Sequence, residues 1–174
     1  ASFGGFNFFR FHADGTVGVE SLAGDGAVTR ELVRRILMFY IGRPRLAREI
    51  LAEQSRSISE GEKYLQAHRL ADLAVSLRDA VGTGKLQRVG EILHEGWMLK
   101  RGLAPHITSS DIDQIYETGL SAGASGGKLL GAGAGGFMLF YCEPEHQALV
   151  REKLGLREIS IDCDFEGSKV IYSE

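Results

Sequence analysis

The chain is poor in cysteine and proline, and neither sign of charge dominates it. Its 174 residues include two cysteines and three prolines, and 20 basic side chains face 23 acidic ones. Both cysteines, Cys142 and Cys163, lie in apolar segments, so we predict buried, reduced thiols and a cytoplasmic protein. Lysine and arginine are dispersed, which gives no electrostatic basis for binding nucleic acid or a membrane surface.

Long hydrophobic runs and clustered histidines are also missing. No apolar run reaches the roughly 18 residues that a transmembrane helix needs. The hydrophobic fraction of 44% and the charged fraction of 25% are typical of a globular protein. The five histidines are far apart in the sequence, so we predict neither a metal site nor a catalytic triad in this chain.

Glycine, in contrast, is concentrated in one place. Six of the eleven residues from 126 to 136 are glycine, directly ahead of the apolar segment Phe137 to Cys142. Each glycine costs roughly 0.5 to 1 kcal/mol in chain entropy relative to alanine, so such a cluster indicates positive φ angles or close backbone approach to a ligand. Phosphate is the usual ligand of a row of free backbone N–H groups. We predict a phosphate-binding active-site loop formed by Gly131, Ala132, Gly133, Ala134, Gly135 and Gly136.

A tight glycine turn without a ligand remains the alternative for this loop. The common nucleotide-binding fingerprints do not fit it. Gly131, Gly133 and Gly136 satisfy G-x-G-x-x-G, but that fingerprint opens a helix, whereas the segment that follows here is short and aromatic like a buried strand. Lys128 precedes the glycines, which is the wrong order for a Walker-type loop.

The stretch from Gly126 to Phe137 resembles the third conserved motif of the GHMP small-molecule kinases, most of all their bacterial heptose-kinase branch. Ala134 is a departure, because that branch usually has another glycine there. The resemblance implies an α+β, ferredoxin-like C-terminal domain whose mixed or antiparallel sheet is covered by helices. It also implies ATP and Mg²⁺ as cofactors and D-glycero-D-manno-heptose 7-phosphate as the sugar phosphate substrate, phosphorylated on its anomeric hydroxyl. A fucokinase or galactokinase type of GHMP kinase and a non-enzymatic ligand-binding module are the alternatives.

The first residues, Ala1 to Asn7, resemble a segment that follows the proposed catalytic aspartate in the same branch. The resemblance implies that this aspartate and the ATP loop lie upstream, in an N-terminal kinase half that is the partner of this chain. We therefore expect no catalytic residue within residues 1–174 and no kinase activity from them alone. The sequence does not decide whether the protein forms a homodimer.

Hydrophobic periodicity gives the expected elements. Asp14-Gly15 between two apolar runs predicts a hairpin of strands 6–11 and 17–22. Residues 1–29, the hairpin and a linker, then belong to the end of the N-terminal domain, and residues 30–174 form the C-terminal domain. Its predicted elements are a strand at 36–41, helices at 46–51, 70–81 and 86–97, a helix beginning at Ser110 with a hydroxyl cap, a strand at 137–142, a helix at 143–155 and a terminal hairpin at 159–172.

Four cations are predicted to bind the substrate: Arg45, Lys100, Arg101 and Lys128. Arg45 matches an arginine of the heptose-kinase branch, and a guanidinium can bind phosphate through two parallel hydrogen bonds. Lys100 and Arg101 follow Trp97 as in that branch, although cations at a helix C-terminus also interact favourably with its dipole. Lys128 flanks the glycine loop. For each of them an ordinary surface charge is the alternative.

Overall fold

The computed structural model describes residues 3–22, 26–42, 52, 55, 58, 61–131 and 133–172. Strands β1 (Asn7–Phe11) and β2 (Val17–Ser21) pair antiparallel as a separate two-stranded sheet. The turn between them is stabilised by Asp14, whose carboxylate accepts hydrogen bonds from the backbone N–H and the hydroxyl of Thr16 at 2.9 and 2.7 Å. The predicted N-terminal hairpin is confirmed.

The other four strands of the described chain form an antiparallel sheet with the strand order β4-β5-β3-β6. Together with the succession of strands and helices, this order is the ferredoxin-like β-α-β-β-α-β arrangement, and the predicted α+β fold is confirmed. Among the described helices, none is both long enough and apolar enough to cross a membrane. The elements are α1 (Ala27–Arg34), β3 (Ile36–Gly42), α2 (Glu62–Gly82), a 3₁₀ turn (Leu86–Arg88), α3 (Val89–Leu103), α4 (Ser110–Ser121), β4 (Gly126–Leu129), β5 (Gly136–Tyr141), α5 (Pro144–Leu154) and β6 (Arg157–Glu158).

The core lies on both faces of β5. Phe140 is fully buried, 6.2 Å from Phe39 and 5.9 Å from Tyr116 between ring centroids, and these aromatic contacts attach α4 to the sheet. Tyr141 faces the other way, into a cluster with residues of α1, α2 and α3. Burial on both faces explains why residues 137 to 142 read as a continuous apolar run. The strand predicted there is confirmed.

Helix α3 contacts strand β4 at the level of the backbone. A Cβ atom added to Gly126 would lie 1.9 Å from the carbonyl oxygen of Gly90, and one added to Gly90 would lie 2.0 Å from Oγ of Ser125. Only glycine fits at such a contact. Gly126 therefore allows the helix to pack against the strand. The sequence pattern placed Gly126 in the same glycine cluster as the turn and did not predict strand β4.

The predicted terminal hairpin is wrong. The last strand is the two-residue β6, paired with β3, and residues 159–172 form no strand. Val170 and Ile171 are 84% and 97% exposed. Alternating hydrophobicity specifies a strand only where a partner strand is available. The N–H of Ile159 still donates to the carbonyl oxygen of Met38 in β3 at 2.8 Å, but residues 160–172 pair with no described strand. The tail instead follows the N-terminal segment, where the N–H of Gly5 donates to the carbonyl oxygen of Asp164 at 2.6 Å.

Several boundaries also differ from the prediction. Helix α1 was missed, and it begins at Ala27, within the predicted linker; the domain boundary at residue 29 stays a prediction. The 3₁₀ turn precedes α3, and Ser109 rather than Ser110 caps α4 by accepting from the N–H of Ile112 at 3.4 Å. The helix predicted at 46–51 lies outside the described residues. Both cysteines are free, but Cys163 is half-buried and lies outside any strand.

The backbone contact between α3 and β4 predicts opposite effects for two glycines of the same helix. Gly90→Ala forces a methyl group into Ser125 and should lower the free energy of unfolding by about 1 to 3 kcal/mol, the usual cost of overpacking. Gly96→Ala is the matched control, because its Cβ would meet only Leu70 and Leu73 at 3.8 Å and it should be neutral or stabilising by up to about 1 kcal/mol. Urea denaturation measures both, and equal effects would contradict the contact.

Candidate functional site

The glycine-rich segment forms the turn of the β4–β5 hairpin. The pair Leu129 and Met138 closes the ladder, and the N–H of Leu130 then donates to the carbonyl oxygen of Phe137 at 2.9 Å. In the turn the described residues all have positive φ, from 62° at Ala134 to 154° at Gly135; the others are Gly131, Gly133 and Gly136. Side chains are rarely tolerated in this conformation, which explains the glycines. Ala132 lies outside the described residues.

The turn is held in place by the segment that connects α3 to α4. The N–H of Ala134 donates to the carbonyl oxygen of Ile107 at 2.9 Å, and a Cβ on Gly133 would lie 2.9 Å from Cα of Ile107. Gly133 is therefore required by packing against protein. A Cβ on Gly131 or Gly136 would meet no atom of a described residue within 4 Å. At these two positions the turn is open to a ligand.

A cavity of about 290 Å³, here called the turn pocket, lies where the turn meets the end of β3 and the start of α4. Its polar lining comes mainly from residues that the sequence analysis did not select. The signal for them was the polar stretch ahead of α4, which we interpreted only as a helix cap. His106 also has a φ of 67°, which is uncommon for a residue with a side chain. The pocket is lined by Ile41, Gly42, His106, Thr108, Ser109, Asp111, Ile112, Ile115, Ala134 and Gly135.

Arg101, one of the predicted substrate-binding cations, is engaged with a carboxylate. It lies 3.5 Å from Oδ1 of Asp113, and the hydroxyl of Thr108 donates to the same oxygen at 2.8 Å. These contacts connect the end of α3 to the first turn of α4 and shape one wall of the turn pocket. Contact with a substrate stays a prediction for Arg101.

Lys100 and Lys128 come together at a second cavity, here called the lysine pocket. It has a volume of about 140 Å³ and lies between α2, α3 and β4. Lys100 is also attached to the glycine turn, since its ammonium donates to the carbonyl oxygen of Gly131 at 2.6 Å. Apart from the two lysines the lining is almost entirely apolar: Leu70, Leu73, Ala74, Leu77, Ile92, Leu93, Gly96 and Trp97.

Both ammonium groups are destabilised by their surroundings. Burial, together with the smaller effect of the neighbouring positive charge of Lys128, lowers the pKa of Lys100 to about 8. Burial also lowers the pKa of Lys128. Neither lysine forms an ion pair with another described residue. The structure thus brings together two of the four predicted cations, while Arg45 lies outside the described residues.

The sheet order and the glycine turn of the central hairpin define a ferredoxin-like domain with a glycine-rich site at one end of its sheet. Residues 77–158 match the family model described as GHMP kinases C terminal. These residues therefore contain the C-terminal domain of the GHMP kinases. The family resemblance of the glycine motif is confirmed.

Two similar proteins of known identity are named as sugar kinases. The chain is 30% identical over 145 residues to a D-glycero-alpha-D-manno-heptose 7-phosphate kinase of Campylobacter jejuni, covering 83% of this chain and 42% of the relative. It is 32% identical over 120 residues to a bifunctional fucokinase/GDP-fucose pyrophosphorylase of Arabidopsis thaliana, covering 68% of this chain and 11% of the relative. The chain thus spans less than half the length of either protein.

A solved structure with the same fold is a D-glycero-D-manno-heptose 1-phosphate kinase from Bacteroides thetaiotaomicron. It superposes with a TM-score of 0.66 at 22% identity, and the match covers 98% of this chain and 47% of that one. This likeness shows the fold of the chain. The substrate has to be argued from the site.

The partly buried ammonium of Lys100 predicts a pH dependence of stability. Its pKa is about 8 in the folded protein and 10.5 for an ordinary lysine, so between these values the unfolded chain binds more protons than the folded one. The free energy of unfolding of the wild type should therefore rise, relative to Lys100→Met, as the pH increases from about 8 to 10.5, and the difference should be constant below pH 7. Denaturant titrations of both proteins across this range measure it, and parallel pH curves would contradict the burial of the charge.

Proposed function

We propose that this chain is the C-terminal part of an ATP-dependent sugar kinase that phosphorylates the anomeric hydroxyl of D-glycero-D-manno-heptose 7-phosphate. The observation that carries the proposal is the glycine turn, which is open at Gly131 and Gly136 and hydrogen-bonded to a lysine that has no counter-ion among the described residues. Membership of the GHMP kinases and similarity to a heptose 7-phosphate kinase support it.

Phosphoryl transfer suits this arrangement. The protein contributes mainly positioned hydrogen-bond donors and cations around the transferring phosphoryl group, with little covalent chemistry of its own. Without side chains at Gly131 and Gly136, a phosphate can approach the backbone of the turn. The turn pocket adds hydroxyl and imidazole groups from Thr108 and His106. Such groups are suited to hydrogen bonds with the hydroxyls of a sugar.

ATP and Mg²⁺ are part of the proposal, and they are assigned mainly to an N-terminal half. The exposed backbone of the turn fits contact with a phosphate group, and ATP supplies the phosphoryl group when it is bound. The described residues include no group of three or more potential metal ligands. We therefore assign the metal to none of the described residues.

The N-terminal hairpin offers a surface to that half. Phe11 on β1 is 79% exposed and Val17 on β2 is 49% exposed, and Phe3, Phe9 and Val19 are exposed as well. A two-stranded sheet with exposed apolar side chains gains stability when further strands or a covering layer bury them. We propose that β1 and β2 complete the sheet of the N-terminal kinase domain.

A fucose or galactose kinase is the second candidate. Similarity to the fucokinase of Arabidopsis thaliana over 120 residues favours it, and such a substrate carries no phosphate of its own. The two candidates therefore differ in whether the site must bind an additional dianion.

The proposal is tested by measuring phosphoryl transfer with three sugars. The protein that contains this chain together with its N-terminal half should consume ATP with heptose 7-phosphate at a kcat/KM at least a hundredfold higher than with fucose or galactose, because a site that binds a second phosphate is left unsatisfied by a neutral sugar. Residues 1–174 alone serve as the control and should be inactive. A preference for fucose would select the second candidate, and no transfer to any sugar would remove the enzymatic proposal.

A further inference from the structure

The lysine pocket presents ammonium groups with unused hydrogen-bond donors. Each ammonium has three N–H donors. Lys100 directs one of them to the carbonyl oxygen of Gly131, and Lys128 has no hydrogen bond to a described residue. The residues that α2 contributes to the lining, Leu70, Leu73, Ala74 and Leu77, are all apolar, and no carboxylate lines the pocket in the described part of the chain.

Without a ligand this arrangement is unfavourable. Moving an ammonium group away from water costs free energy that an anion normally compensates, and here two such groups also repel each other. The other partly buried cations among the described residues are paired: Arg35, for example, bonds to Glu31 and Glu143. An unpaired, partly desolvated pair of cations beside a glycine turn is typical of a binding site for an anion.

We propose that Lys100 and Lys128 together bind a phosphate dianion at the mouth of the lysine pocket, beside the glycine turn. One dianion neutralises both charges and accepts hydrogen bonds from both ammonium groups. Arg101 is not part of this site, because its guanidinium lies beside Asp113. The phosphate site itself is independent of the proposed function. The identity of its ligand rests on that function, because a sugar phosphate and a nucleotide would both provide a phosphate.

The size of the pocket favours the sugar phosphate. Its volume of about 140 Å³ is well below the roughly 300 to 1,000 Å³ of pockets that enclose a whole ligand of drug size. A phosphate with a few attached atoms fits this space, whereas a nucleoside does not. The phosphate of a phosphorylated sugar, bound here, would leave the sugar ring to extend along the turn.

The site is tested by calorimetric titration of the protein with its N-terminal half. The probes are heptose 7-phosphate, its unphosphorylated sugar, inorganic phosphate and ATP. Lys100→Met and Lys128→Met should each weaken binding of the sugar phosphate by about ten- to a hundredfold, the usual loss for a charge-assisted hydrogen bond to phosphate, and should also weaken binding of inorganic phosphate. Binding of ATP should be unchanged. Lys128→Met leaves the bond between Lys100 and Gly131 in place, and Lys85→Met on the turn after α2 is the matched control.

Proton uptake separates binding at Lys100 from a purely structural effect. At pH 8 a dianion should raise the pKa of Lys100, so binding of the sugar phosphate should take up as much as about half a proton, measured in buffers of different ionisation enthalpy. This uptake should be absent in Lys100→Met. As a control for folding, the thermal midpoint of Lys128→Met should equal or exceed that of the wild type.

The outcomes distinguish the inference from the proposed function. Loss of affinity for ATP in place of the sugar phosphate would support the phosphate site and assign it to the nucleotide. Lysine-dependent phosphate binding without any sugar-kinase activity would support the site and contradict the proposed function. Unchanged affinities in both variants, or equal losses for the unphosphorylated sugar, would overturn the inference.

Discussion

The close contact of helix α3 with strand β4 is the constraint on which the site depends. Because Gly90 and Gly126 have no side chains, the helix lies directly on the edge strand of the sheet. Ten residues beyond Gly90 the helix carries Lys100, and two residues beyond Gly126 the strand carries Lys128. The backbone contact thus positions two like charges at one pocket. Their repulsion lowers the stability of the fold, but together they are suited to binding an anion.

The same hairpin places the glycine turn between the two pockets. Its backbone is bonded to Ile107 on one side and to Lys100 on the other, so the connection between α3 and α4 and the end of α3 both fix its conformation. The turn pocket offers hydroxyl and imidazole groups, and the lysine pocket offers positive charge. This combination of groups is suited to a ligand that carries both a sugar ring and a phosphate.

The sequence predicted the fold more completely than the site. Strong local signals, such as Asp14-Gly15 and the apolar run at 137–142, were confirmed because each is determined by a few neighbouring residues. The terminal hairpin was wrong because alternation at Ile159 and Ile161 says nothing about a partner strand. The roles of the glycines could not be separated in sequence, since Gly126 and Gly133 fit against protein backbone and Gly131 faces open space. Lys100 and Lys128 line the same pocket because helix α3 packs against strand β4. A local sequence pattern does not predict such packing.

The central claim is that the open face of the glycine turn and the lysine pair contact one phosphorylated ligand. Amide and ammonium NMR resonances of the protein with its N-terminal half, followed during titration with heptose 7-phosphate, test it most directly. The backbone N–H signals of Gly131 and Gly136 should shift together with the Nζ signals of Lys100 and Lys128, at one common dissociation constant. Shifts confined to other parts of the protein, with these four groups unchanged at saturation, would contradict it.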